Sequence, residues 1–266
     1  MSLAHTFTYY CGSMNTMFFN NADIRNDSFV TDIVIQDYRT SRVFRKYGID
    51  YCCGGKLPLQ MVCEMRGLDT AVIKKELNDA LRTVQIPNST DFNNWSIDFL
   101  VDYIINVHHA YLNNNFPDII DTLERFVEAH KSKYTYLPEL LESLIELRNS
   151  LLPHLEQEEK IIFPYIKQIA HAYERHEPYA ALFVRTLRKP IENMMDHEHE
   201  HIAKYLHRLR DLTNNYTPAP NACTSHKISY SYLKELDNDL MQHIHLESNI
   251  LFSKAIAMEK EMLAIK

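Results

Sequence analysis

The chain has 266 residues, of which 45% are hydrophobic and 24% are charged, as in ordinary globular proteins. Its net charge of -7 and pI near 6.0 provide no basic field, so nucleic acid is not an expected partner. The amino-terminal residues do not resemble a secretion signal, and no window approaches the roughly 18 apolar residues of a membrane span. We therefore expect a cytoplasmic protein without a membrane partner. In the cytoplasm its cysteines would be reduced: Cys11, Cys52, Cys53, Cys63 and Cys223.

Glycine placement divides the chain, because no glycine follows Gly67. Residues 1–21 are expected to form a poorly ordered leader, and 22–85 a small domain of short helices. Residues 86–95 contain proline and polar residues without periodicity, which predicts a linker. From 96 to 266 the sequence can be almost entirely helical. The predicted fold is therefore all-α, with a four-helix bundle after a small helical domain.

Four long stretches of the predicted bundle have apolar residues at helical spacing. Prolines and one turn are expected to separate the stretches: Pro117, Pro138, Pro178, Pro190 and residues 217–220. Pro153 and Pro164 lie inside the second stretch. Since proline removes a backbone donor, we expect a bent helix there.

Two of these stretches contain a His-x-x-x-Glu motif within their apolar stripe. The stripe of the second stretch consists of Leu144, Leu147, Leu151, His154, Glu158, Ile161 and Tyr165. That of the fourth consists of Leu233, Leu236, Leu240, His243, Glu247 and Ile250. The segments HLEQEEKIIF and HIHLESNILF are near copies of each other. Residues one turn apart share a helix face, so both motifs are expected to point inward.

The other two stretches each place a single histidine on an apolar stripe. In the first stretch the stripe is Ile105, His109, Leu112 and Phe116, and in the third it is Met195, His199, Ile202, Leu206 and Leu209. His108 has an apolar stripe of its own, and periodicity does not separate it from His109. The order of single histidine and His-x-x-x-Glu recurs at nearly equal spacing, which indicates a helix pair that occurs twice.

Burial of these groups beside leucine is unfavourable by several kcal/mol per charge unless something compensates. A single buried His-x-x-x-Glu is usually structural, but four imidazoles and two carboxylates have too few donors to satisfy one another. Two cations would satisfy them: each would bind two histidines, both glutamates would bridge, and each cation would keep a position for a small ligand. Imidazole and carboxylate favour iron, manganese or zinc. A bridged pair of redox-capable metals favours iron, with zinc as the main competitor.

The segment KYGIDYCCGGK is the other unusual feature. Gly54 and Gly55 permit a sharp turn, which could present Cys52 and Cys53 as reactive thiols beside Lys56. The alternative is a tight turn with two small buried residues, and the spacing does not distinguish the two interpretations.

Together these motifs resemble the family of di-iron proteins for repair of iron centres. DIVIQDYRTSRVFRKYGIDYCCGGK is similar to its amino-terminal domain, and HLEQEEKIIFP, DHEHEHIAKYL and HIHLESNILF are similar to its hemerythrin-like bundle. The resemblance favours His109 over His108. It implies the following ligands for a non-haem di-iron centre bridged by carboxylates and oxide: His109, His154, Glu158, His199, His243 and Glu247. Ser253 stands where the family commonly has proline, which should affect only a helix bend.

The resemblance implies repair of iron–sulfur clusters damaged by nitric oxide or oxidants, through iron donation or nitric oxide handling. Cys52 and Cys53 would have a thiol role towards a recipient. The implied partners are damaged iron–sulfur proteins and small diatomic ligands such as nitric oxide or dioxygen, and the chain could form a homodimer. A hemerythrin-like carrier or sensor is the alternative, but it would leave the Cys-Cys-Gly-Gly segment without a task. A ferritin-like oxidase is disfavoured because that group uses Glu-x-x-His with additional glutamates.

Overall fold

A computed structural model describes most of the chain. The described residues are 24–51, 56–81, 91–176, 184 and 192–264, without the side chains of 192–198 and 200. The chain separates into two compact units, residues 1–90 and 91–266. The predicted leader lies outside the described residues, as does most of the predicted linker, so both stay predictions.

The described part of the first unit contains four short helices and one 3₁₀ turn. The helices are α1 (Val30–Gln36), α2 (Ser41–Lys46), α3 (Leu59–Met65) and α4 (Thr70–Leu81), and the turn is Tyr38–Thr40. Gly48 and Gly67 follow α2 and α3 with φ values of 65° and 66°. Only glycine adopts this left-handed conformation without strain, which explains why both helices end there. Asp69 accepts a hydrogen bond from the Ala71 N–H at 2.8 Å and caps α4.

The described residues of the second unit form four bundle helices, each built from one or more segments. The first comprises α5 (Ile97–Tyr103), a π segment (Ile104–His109) and α6 (Ala110–His130). The second comprises α7 (Leu137–Gln157), a π segment (Glu158–Ile162) and α8 (Phe163–Glu174). The third is α9 (Glu192–Thr213). The fourth comprises α10 (Thr224–His245), a π segment (Leu246–Leu251) and α11 (Phe252–Ala264). The predicted all-α class and the four-helix bundle are confirmed.

Packing within the second unit closes the bundle, since the first and third bundle helices each contact the second and the fourth, and α8 of the second helix also contacts α11 of the fourth. Leu112, Leu151 and Leu240 are fully buried on one side of the histidine level. A second buried apolar cluster on the other side includes Ile104, Ile162, Phe163, Leu246 and Leu251. The polar residues of the bundle centre therefore lie between two apolar layers. Within the described part of the chain, no helix is both long enough and apolar enough to cross a membrane.

The π segments correct the predicted inward stripes. A π turn accommodates one more residue than an α turn, so it rotates the following residues out of the 3.6-residue pattern. Ile161, predicted to be inward, is 57% exposed, whereas Ile162 is fully buried. In the first bundle helix Ile104 is fully buried and Ile105 only partly so. The stripe prediction was wrong at Ile161, because it assumed an uninterrupted α-helix, whereas Ile105 still packs against the buried apolar cluster.

The proline predictions have different outcomes. Pro117 does not end a helix but lies inside α6, so that prediction was wrong. Pro117 and Asn113, whose carbonyl loses its helical donor, are both exposed, and water can satisfy the carbonyl. Pro138 lies in the first turn of α7, where proline is tolerated, and residues 217–220 connect the third and fourth helices as predicted.

Two predicted breaks, Pro178 and Pro190, lie outside the described residues. Between Pro153 and Pro164 the helix departs from α geometry, because residues Glu158–Ile162 form a π segment. This segment ends just before Phe163 and Pro164. In the fourth helix Ser253 follows Phe252 in the same way, and its hydroxyl donates to the Ser248 carbonyl at 3.1 Å.

Candidate metal centre

Six of the sequence-predicted site residues converge at one level of the bundle. His109 ends the π segment of the first helix, His154 lies in α7, and His199 lies in α9. The remaining predicted residues are Glu158, His243 and Glu247, and both glutamates belong to π segments. The second and fourth bundle helices thus place the two copies of the His-x-x-x-Glu motif opposite each other.

These residues form two groups, each able to hold one metal ion. One group is His109, Glu158, His243 and Glu247, and the other is His154, Glu158, His199 and Glu247. Within each group the nearest imidazole nitrogens and carboxylate oxygens all lie within 4.8 Å of one another. Both glutamates belong to both groups. Each group also combines one histidine from each half of the repeat.

Individual distances show how closely the polar atoms converge. Nε2 of His243 lies 2.7 Å from Oε1 of Glu247 and 3.2 Å from Nε2 of His109. Nε2 of His154 lies 3.1 Å from Oε1 of Glu158, and Nε2 of His199 lies 3.5 Å from Oε2 of Glu247. The imidazoles therefore direct their Nε2 atoms towards the shared carboxylates.

The buried atoms of the centre do not satisfy one another. Both carboxylate oxygens of Glu158, Oε2 of Glu247 and Nε2 of His199 are buried, and none makes a hydrogen bond to any described residue. Such groups are destabilising unless a ligand or ion completes them. A cation would accept electron pairs from these nitrogens and oxygens at once, so the donor set fits a metal pair.

Electrostatics distinguishes the two carboxylates. Burial raises the pKa of Glu158, and the neighbouring Glu247 carboxylate raises it further. Burial also acts to raise the pKa of Glu247, but the charge on His243 and the imidazoles of His109 and His199 outweigh it, so that pKa lies well below its usual range. One carboxylate is thus stabilised as the anion and the other as the acid, which is how a pair of buried carboxyl groups behaves without enough positive charge.

Two outer residues that were not predicted as part of the site orient its histidines. The Nδ1 atom of His109 lies 2.8 Å from Oε1 of Glu159, and that of His199 lies 3.0 Å from Oγ of Ser248. These contacts leave Nε2 of each ring as the free donor atom towards the centre. The repeat contained the signal, because Glu159 and Ser248 each directly follow the glutamate of a His-x-x-x-Glu motif.

The structure places His108 outside both groups. Its Nδ1 lies 2.9 Å from Oδ1 of Asp239, and its ring stacks on His243 with centroids 5.7 Å apart. His108 and His109 are both buried, because the π segment turns two adjacent residues inward. His201 and His245 are exposed, as expected for residues two positions from an inward histidine.

Comparison with known proteins identifies the family. Residues 100–255 match the hemerythrin HHE cation binding domain, and residues 26–81 match a domain of unknown function designated ScdA_N. The chain is 33% identical to the iron-sulfur cluster repair protein YtfE of Escherichia coli O157:H7, over 88% of this chain and 98% of the relative. The same identity and coverage hold for the proteins of that name from Escherichia coli O81 and Escherichia fergusonii.

The chain belongs to the family of iron–sulfur cluster repair proteins. This confirms the predicted resemblance to the family for repair of iron centres. It also confirms the hemerythrin-like bundle, because most of the bundle matches the hemerythrin cation binding domain. In this family member the two His/Glu groups lie within the part that matches that domain.

The cysteine motif lies elsewhere in the chain. Cys52 and Cys53 are outside the described residues, and both fall within the part that matches the ScdA_N domain. Among the described cysteines, Cys63 is a buried free thiol and Cys223 a partly buried one. The roles of Cys52 and Cys53 stay predictions.

Proposed function

We propose that the bundle holds a di-iron centre. One iron would be bound by His109 and His243, and the other by His154 and His199. Glu158 and Glu247 would bridge them. The observation behind this proposal is that both glutamates belong to both groups of potential ligands. The proposed ligand set is thus the one predicted from the sequence.

The surrounding residues would prepare this centre. Leu112, Leu151, Leu240 and the opposite apolar layer exclude water, which strengthens each interaction with a cation. Glu159 accepts the Nδ1 proton of His109 and so leaves Nε2 as the ligand atom, and Ser248 holds the His199 ring in the orientation that presents Nε2. When bound, two irons would supply exchangeable, redox-active cations with positions open to a small diatomic ligand.

We further propose that the protein repairs iron–sulfur clusters damaged by oxidative or nitrosative stress in the cytoplasm. The shared family and the near full-length match to YtfE proteins support this function over that of a hemerythrin-like carrier or sensor of dioxygen, nitric oxide or iron. Repair would proceed through iron donation, through nitric oxide handling at the centre, or through both. The recipients would be damaged iron–sulfur proteins.

Metal analysis of the purified protein tests the proposed centre. We expect about two irons per chain, as two groups of four ligands require, and visible absorption from a bridged iron pair. Zinc alone, without that absorption, would exclude the di-iron centre.

A cysteine double variant tests the repair function. Cys52→Ser with Cys53→Ser should keep the iron content and absorption, because described residues of the bundle supply all four side chains of each metal-binding group. The variant should fail to restore a nitric-oxide-damaged iron–sulfur enzyme, because a thiolate is a suitable ligand for iron in transfer. Cys223→Ser, in the bundle, is the matched control and should repair normally. Full repair by the double variant would mean that the two cysteines are structural or hold a dimer together, and loss of iron would show that the thiols contact the centre.

A further inference from the structure

The two halves of the metal centre are related by the sequence repeat, but their outer contacts differ in charge. His109 and His199 occupy equivalent positions, as do His154 and His243. The residue that orients His109 is the carboxylate Glu159, whereas the residue that orients His199 is the hydroxyl Ser248. Glu159 and Ser248 are themselves equivalent positions of the repeat.

This difference affects how strongly each imidazole binds a cation. A carboxylate that accepts the Nδ1 proton makes Nε2 a stronger electron donor and adds a negative charge near the metal. A hydroxyl fixes the same orientation but adds no charge. The His109 and His243 position therefore attracts a cation more strongly than the His154 and His199 position.

The exposed fractions of the ligand histidines indicate the same inequality between the two metal positions. The side chains of His109 and His243 are each 1% exposed, whereas those of His154 and His199 are 3% and 13% exposed. A chelator or an acceptor protein can therefore reach the His154 and His199 position first. Glu159 is 38% exposed, but it contacts the rear of the His109 ring and not the cation position itself.

We infer that the two metal positions are unequal, and that the ion bound by His154 and His199 is the one released to an acceptor. The ion bound by His109 and His243 is retained, because Glu159 stabilises it from behind. Glu159 and Ser248 are thus positioning residues for retention and release. This inference rests on the proposed two-metal centre and names the position from which iron would be donated.

Release of metal to a chelator in excess tests the inference. The loaded full-length protein should lose its iron in two phases of about one ion each. Glu159→Gln, which keeps the shape but removes the charge, should accelerate the slow phase roughly 10-fold or more and leave the fast phase unchanged. Glu156→Gln is the matched control on the same helix; Glu156 pairs with Lys160, and its substitution should change neither phase. Ser248→Ala should accelerate only the fast phase.

A single release phase in the parent protein, or acceleration of only the fast phase by Glu159→Gln, would overturn the inference. The exchange variant Glu159→Ser with Ser248→Glu should make the position of His154 and His199 the retained one, and its two phases are measured on the folded fraction. Should that variant not fold, Glu159→Gln alone decides. Loading with Zn²⁺ separates the two proposals, because unequal retention requires two bound ions but not iron. Two zinc phases from a protein that binds no iron would support the inference and refute the di-iron centre.

Discussion

Two buried polar regions of the bundle differ in how their charges are compensated. Asp237 in the fourth helix accepts a hydrogen bond from Nε of Arg210 at 2.6 Å, and the guanidinium contacts both carboxylate oxygens. At the metal centre the oxygens of Glu158 have no hydrogen bond from the described residues. A polar region that satisfies itself is sufficient for structure, whereas one that does not requires a ligand. Substitutions in each region, and removal of the metal, test this difference.

The largest effect is expected from removal of a shared carboxylate. Glu158→Ala or Glu247→Ala should reduce bound iron from about two ions per chain to nearly none, because each glutamate belongs to both groups. Elemental analysis measures the loss, with Glu156→Ala as an exposed control on the same helix. Retention of one ion would mean that the carboxylate binds only one metal.

Metal removal should have the next largest effect. Ligand-free protein keeps its buried, unsatisfied carboxylates. Metal at 1,000 times its Kd should therefore stabilise the fold by about 4 kcal/mol for each ion bound. For a unit of this size each ion corresponds to a rise in Tm of roughly 8–16 °C, measurable by calorimetry. Equal Tm values with and without metal would show that the centre is satisfied without a cation.

A substitution in the ion pair of Arg210 and Asp237 should change the stability of the protein but not its metal content. Arg210→Met leaves Asp237 buried without its partner and should lower stability by about 2 kcal/mol, less than for a fully buried pair because Arg210 is partly exposed. Bound metal should not change. Denaturant unfolding and elemental analysis measure the two quantities, and the double variant Arg210→Met with Asp237→Leu should recover most of the stability. Loss of metal in Arg210→Met would show that the two regions are coupled.

The smallest effect on metal content is expected at His108. His108→Ala should keep most of the iron, because that ring contacts Asp239 and lies outside both groups. His109→Ala should lose much more iron. The reverse order in elemental analysis would exclude His109 as a ligand and favour its neighbour.

Much of the bundle could be predicted from the sequence, because apolar spacing and the doubled His-x-x-x-Glu motif depend on local helix geometry. The exposed position of Ile161 could not, since it lies within a π segment whose extra residue breaks the 3.6-residue pattern. The adjacent pairs His108 with His109 and Ile161 with Ile162 are a signal of this shift, because either member could continue the stripe.

The outer contacts were less predictable than the central residues. Glu159 and Ser248 follow the motif glutamates directly, and on an ideal α-helix they would point about 100° away from them. Their contacts with His109 and His199 on neighbouring helices depend on tertiary packing. Sequence periodicity describes only one helix at a time and does not contain that information.

The π segments of the first, second and fourth bundle helices also limit how the chain can change in length. Each is equivalent to one residue inserted into an α-helix, and removal of that residue would turn the rest of the helix by roughly 100°. Surface connections tolerate insertions and deletions, but these π segments would not. A shortened segment would rotate His109, Glu158 or Glu247 relative to the apolar layer beyond it. The segments concerned are Ile104–His109, Glu158–Ile162 and Leu246–Leu251. Transfer of the ligands alone to a regular four-helix scaffold would therefore fail to reproduce the centre unless the extra residues were transferred with them.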